Sequence, residues 1–123
     1  MTGRDTVPAG GPVRELSVEE LQALRARGEA LLLLDVRQPW EHDLARLPDD
    51  VLIPLNELSA RLDELEGELE GEGARLVVCY CHHGVRSLGA AAFLSRSGVA
   101  RVASLAGGID AWSQRIDPAV PRY

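Results

Sequence analysis

An α/β domain with a mainly parallel sheet is what this 123-residue sequence predicts. Short apolar runs alternate with stretches of helical periodicity along the whole chain, the pattern of strand–helix–strand units. The strongest runs, Leu31 to Val36 and Leu76 to Cys81, are continuous rather than alternating, as strands covered on both faces are. Helix starts and stops also fall between the runs: Ser17-Val-Glu-Glu20, Pro39, Gly28 and Gly98.

In order, residues 1–12 read as a mobile arm of Gly, Pro, Thr and Asp, and residues 13–123 as the domain. Val13 to Leu16 is a short extended piece. Ser17 and Glu20 form a capping box, and Val18, Leu21 and Leu24 recur at helical spacing until Gly28 stops the helix. After the Leu31–Val36 strand, Pro39 to Leu44 suits a short helix with proline at an early position. Val51 to Leu55 reads as a brief strand. Leu55, Leu58, Leu62 and Leu65 then predict an amphipathic helix that dissolves into a Glu/Gly stretch ending at Gly73. The remaining elements are the 76–81 strand, a helix over 87–97, a strand over 101–105, and a final helix opened by Gly107-Gly108 and carrying Trp112.

Composition narrows the chemistry. Apolar residues make up 46%, charged residues 26%, and the formal net charge is −6. Residues 61–72 hold six acids against one arginine, so the acidity is local and the rest is nearly neutral. Nucleic acid is therefore not an expected partner. All thirteen basic residues are arginine, which excludes Schiff-base chemistry, pyridoxal chemistry held by a lysine, and the Walker-type phosphate loop. The longest aliphatic run, Leu31 to Leu34, is far too short for a bilayer, and no secretory h-region precedes it. The expected home is the reducing cytoplasm, with no membrane partner.

The most informative stretch is residues 79–87, Cys-Tyr-Cys-His-His-Gly-Val-Arg-Ser. Cys81 ends an apolar strand, a tight loop with one glycine follows, and a helix begins. Unpaired N–H groups at a helix start favour an anion, and a thiol in such a place ionises more readily than a free one. Active sites of parallel sheets lie beyond the carboxyl ends of the strands, where Cys81, Asp35, Arg37 and the Gly107-Gly108 turn all fall.

Asp35-Val-Arg37, Glu41, Ile53-Pro54, the loop from Cys81 to Ser87, and Leu105-Ala-Gly-Gly-Ile-Asp-Ala-Trp112 together resemble the rhodanese-like sulfurtransferase family. The resemblance covers about residues 13–123 and implies a single rhodanese-like domain with a five-stranded parallel sheet. It also implies that Cys81 is the nucleophile and carries sulfur as a persulfide, without a cofactor. Two departures stand out. Residues 45–50, Ala-Arg-Leu-Pro-Asp-Asp, replace the family's usual Gly-His-Ile-Pro-Gly-Ala, so that turn is built differently. His82 occupies a position that is often arginine in members using thiosulfate, which puts thiosulfate in question as preferred donor. The run 117–123 resembles the tail of small bacterial members, some of them appended to ubiquitin-like activating enzymes.

On this reading Cys81 takes sulfur from thiosulfate, a polysulfide or a persulfide and passes it to a thiol or cyanide, a sulfur-accepting protein being a further acceptor. His82, His83, Gly84, Val85, Arg86 and Ser87 are the expected substrate-binding residues. Their N–H groups and the fork of Arg86 face the donor, and Gly84 relieves the turn. Asp35 and Arg37 are expected in support, positioning loops through an ion pair. Cys79 reads as core rather than as a resolving thiol, and Trp112 as core. His42 reads as surface. Cys79, Cys81, His82 and His83 are poorly spaced to wrap a metal, and none is expected. Two rivals remain. A phosphatase or arsenate reductase would need one more residue between Cys81 and Arg86 to admit a tetrahedral oxyanion. A non-catalytic or partner-dependent binding module would not need Cys81 at all.

Overall fold

The computed structural model describes residues 13–65 and 75–123. The 1–12 arm and most of the Glu/Gly stretch lie outside the described residues. Five parallel strands form one sheet: β1 (Glu15–Leu16), β2 (Leu31–Asp35), β3 (Val51–Leu52), β4 (Leu76–Tyr80) and β5 (Val102–Leu105), in the order β1-β5-β4-β2-β3. Among the described residues, four α-helices accompany them: α1 (Val18–Ala26), α2 (Pro39–Leu44), α3 (Val85–Arg96) and α4 (Gly108–Arg115).

Strand alternation sorts the core into two layers. Leu33, Val78, Tyr80, Ala103 and Leu105 point to one face, where Val18 and Leu21 of α1 and Ile109 and Trp112 of α4 cover them. Leu32, Leu34, Val77, Cys79 and Val102 point to the other, under Ala90, Ala91 and Leu94 of α3. Every residue of β4 is buried, which explains why its sequence is continuously apolar. Cys79 and Trp112 are core residues, as expected.

Local signals act where the sequence places them. Ser17 Oγ accepts the Glu20 N–H at 3.0 Å while Glu20 accepts the Ser17 N–H at 2.8 Å, closing the capping box. Gly28 takes the left-handed φ of 73° that ends α1. The 55–65 segment differs from its expectation. It winds as two 3₁₀ turns, Leu55–Glu57 and Leu62–Leu65, rather than one α-helix. Pro54 opens it with a bond three residues on, Glu57 N–H to its carbonyl at 2.8 Å. Tighter winding still seats Leu58 and Leu65 in the α3-side core, so leucine burial decides the path and helical propensity yields to it. Helix α3 starts at Val85, two residues earlier than its periodicity suggests, so Arg86 and Ser87 belong to its first turn. Among the described residues, no helix is long and apolar enough to cross a membrane.

Candidate active site

Strand β4 runs through the middle of the sheet and delivers Cys81 one residue past its carboxyl end, with the residue only 1% exposed. The loop then turns back over the sulfur. Gly84 takes φ 104°, which L side chains rarely adopt, and an added Cβ would press on the Gly107 N–H at 3.2 Å. That turn aims two backbone donors at Sγ: the Gly84 N–H at 3.1 Å and the Ser87 N–H at 3.4 Å. The thiol donates towards Ser87 Oγ at 3.6 Å, and Ser87 Oγ lies 2.7 Å from Ser104 Oγ on β5. The sulfur therefore sits among hydrogen-bond donors at the start of α3, an arrangement that stabilises negative charge there.

Helix α4 fastens the loop from the other side. Ile109 N–H donates to the Cys81 carbonyl at 2.9 Å and Asp110 N–H to the His82 carbonyl at 3.1 Å. Gly108 makes this approach possible, because a Cβ there would collide with both carbonyl oxygens. The amides at the start of α4 are thus spent on the loop's carbonyls, and those of the Cys81 loop are left for the sulfur.

The other loop residues are placed less uniformly. His82 is half-buried, its ring stacked on His83 at 3.9 Å and on Tyr123 at 4.0 Å, and its Nε2 is buried without a partner. Burial, followed by the neighbouring His83, lowers the His82 pKa below its ordinary value. His83 is exposed, 3.7 Å from Asp110. Val85 projects into solvent at 78% exposure. The Arg86 fork, expected to face a donor, is instead taken by Glu41, with Nη1 and Nη2 donating to its two carboxylate oxygens at 2.6 and 2.9 Å. Those bonds hold the Glu41 carboxyl down at about 2 although burial opposes it.

Beside the loop, the turn after β2 carries a dense ionic knot. Asp35 and Arg37 are both fully buried, and Arg37 Nε and Nη2 each donate to Asp35 at 2.8 Å. Arg37 also reaches the carbonyls of Glu41 and Ala45 and the Tyr123 hydroxyl. His42 is not a surface residue. Its Nδ1 lies 2.9 Å from Asp35 and 3.6 Å from Asp50, and the Tyr80 hydroxyl at the end of β4 donates to Asp50. The altered 45–50 turn is thereby tied to the central strand, with Asp49 at φ 61° and Leu47 buried.

Two trios bring possible metal-ligand atoms within 4.8 Å of one another, His82-His83-Asp110 and Asp35-His42-Asp50. In the first, the two imidazoles are stacked on each other, and Asp110 already accepts from Arg122 and Gln114. In the second, Asp35 is committed to Arg37. Neither arrangement suits a tetrahedral cation. A cavity of about 390 Å³ lined by Arg14, Leu24, Arg27, Leu31, Leu76 and Arg101 lies at the amino ends of the strands, the opposite edge from Cys81. The site is marked by its chemistry, not by the size of a hollow.

Sequence reasoning missed Glu41, Ser104 and Tyr123 as neighbours of the loop. Glu41 stood among the landmarks of the family resemblance but without a partner, and Ser104 lies on another strand with no local pattern to flag it. Tyr123 stood only within a tail-like run.

The central strand of a parallel α/β domain thus delivers a cysteine into a loop whose amides face its sulfur. The model for the Rhodanese-like domain matches residues 17–115. A protein named Sulfurtransferase from Allochromatium vinosum is 36% identical over 88% of this chain and 95% of its own length. The Zea mays adenylyltransferase and sulfurtransferase MOCS3-2 is 37% identical over 88% of this chain, which spans 23% of that protein. Among solved structures, a rhodanese-related protein from Thermoplasma volcanium superposes with a TM-score of 0.72 at 28% identity, covering 89% of this chain and 99% of that one. The chain belongs to the rhodanese-like domain family.

Proposed function

We propose that the protein is a sulfurtransferase in which Cys81 carries the transferred sulfur as a persulfide. The observation that carries this reading is the pair of N–H groups, from Gly84 and Ser87, directed at a buried Sγ. Relatives named as sulfurtransferases support it.

In the first half-reaction the Cys81 thiolate attacks the outer sulfur of a donor. With thiosulfate the new S–S bond forms on Cys81 as the donor S–S bond breaks, and its electron pair leaves with sulfite. In the second half-reaction cyanide or a thiolate attacks the outer sulfur of the persulfide. The electron pair of the Cys81 S–S bond returns to Sγ, leaving thiocyanate or a new persulfide. The loop amides hold the anion in both resting forms at no cost in reorganisation. With its fork spent on Glu41, Arg86 braces the loop and does not bind the donor. This favours donors whose charge resides on sulfur, persulfides and polysulfides, over thiosulfate, whose sulfonate needs a cation of its own. His82, in the position next to Cys81, is consistent with the same preference.

The phosphatase reading is weaker. Four residues separate Cys81 from Arg86, and that arginine is paired to a carboxylate, so a phosphate would find a short loop without its cation. Intact mass after incubation with thiosulfate or polysulfide tests the proposal. One added sulfur on the wild type, absent from Cys81→Ser and removed by cyanide as thiocyanate, is the expected result. No adduct from any donor would overturn it and leave a binding module.

A further inference from the structure

Tyr123 follows the coil after α4, yet it meets the Cys81 loop and the β2–α2 turn together. Its ring lies flat on His82, with centroids 4.0 Å apart and planes 8° from parallel. Its hydroxyl donates to Glu41 Oε2 at 2.7 Å and accepts from Arg37 Nη1 at 2.9 Å. Trp40 closes on the ring edge-on at 6.0 Å. Glu41 in turn holds both arms of Arg86.

These contacts bear on both ends of the loop. His82 is the first residue after the nucleophile, and Arg86 sits in the first turn of α3. Between them lies Gly84, and directly after Arg86 lies Ser87, the two residues whose N–H groups point at Sγ. A loop held at only one end could swing those N–H groups off the sulfur. Held at both, it keeps them there before a donor arrives.

We propose that Tyr123 is a positioning residue for Cys81: its ring pins His82 at one end of the loop, and its hydroxyl, through Glu41, pins Arg86 at the other. The proposal rests on Cys81 as the sulfur-bearing residue but concerns a side chain that does not touch the sulfur. Burial beneath Tyr123 also accords with the lowered pKa of His82.

The test compares wild type, Tyr123→Ala and Tyr123→Phe by amide exchange, by NMR titration of the His82 ring, and by the rate of sulfur loading from polysulfide. In Tyr123→Ala the Gly84 and Ser87 amides should exchange at least about tenfold faster while Val78 in β4 keeps its protection, a local opening rather than unfolding. The His82 ring should titrate at higher pH, and loading should slow by about tenfold, the order expected when a reacting group is misplaced. Tyr123→Phe keeps the stack and loses the hydroxyl, so His82 should titrate as in wild type and Ser87 alone should exchange faster. Unchanged exchange and titration in Tyr123→Ala, or faster exchange with an unchanged loading rate, would overturn the proposal. Should the alanine variant fail to fold, a Tyr123→Phe protein with wild-type Ser87 exchange would overturn it instead. A wild type that loads no sulfur would defeat the sulfurtransferase reading, while the exchange and titration arms still decide whether Tyr123 pins the loop.

Discussion

Two neighbouring turns leave the same edge of the sheet, and they handle charge in opposite ways. β2 and β4 are adjacent, with Asp35 paired to Tyr80 in register. The turn after β2 neutralises its charges with side chains, the buried Asp35 held by Arg37, and Glu41 of α2 takes the fork of Arg86 from α3. The turn after β4 instead aims two backbone N–H groups at the Cys81 sulfur, whose thiol in turn donates towards Ser87 Oγ. One turn is complete, its buried charge paired with a side chain; the other is incomplete, its donors aimed at a sulfur for which an anionic role is proposed above. Scaffold and site are therefore distinguished by whether the partners of each polar group are already present.

Breaking the complete turn should cost the most. Arg37→Leu leaves the buried Asp35 without its guanidinium, with His42 and the residue 37 backbone N–H left beside it, so unfolding free energy should fall by about 3–5 kcal/mol in urea titrations. A loss below about 1 kcal/mol would mean the knot is not structural. In the incomplete turn, Gly84→Ala forces a Cβ onto φ 104°. Stability should drop by about 1–3 kcal/mol, with a disproportionate loss of sulfur loading because the N–H aimed at Sγ moves.

The contact between the turns sharpens the comparison through pH. Glu41 titrates near about 2 when folded against an ordinary 4.5, so its contribution is fully present above 4.5 and is lost as pH falls towards 2. Thermal melts from pH 6 to 2 should show this acid limb, and Glu41→Gln should flatten it while lowering stability at neutral pH. Smallest is a change remote from both turns: Ser17→Ala should cost about 1 kcal/mol through its lost cap and leave the rate of sulfur loading at the wild-type value.

Much of this was legible from residues alone because the signals were local. The capping box at Ser17, the stop at Gly28, the continuous strands around Leu33 and Val78, and the Cys81 loop each depend on near neighbours in sequence. The resemblance of that loop and the Gly107-Gly108 segment to a family gave the sheet its strand number. What escaped were matters of long-range pairing. The pairing of Arg86 could not be read because nothing near it in sequence is acidic; its partner Glu41 is 45 residues away. His42 looked exposed because its partners, Asp35 and Asp50, flank it on different turns. The leucines of 55–65 were correctly buried but wrongly wound, since periodicity of three to four does not distinguish two tight turns from one helix.

The bonds from Ile109 and Asp110 to the carbonyls of Cys81 and His82 also set an order of assembly. Cys81 is translated nearly thirty positions before the amides that fasten its loop, and β5 must dock between them in sequence. A chain still emerging up to residue 100 has its thiol but neither Ser104 nor the Gly108 turn. On the sulfurtransferase reading proposed above, the cradle around Cys81 is complete only once the closing helix has docked, so the fold itself sets when the thiol gains its fastened loop.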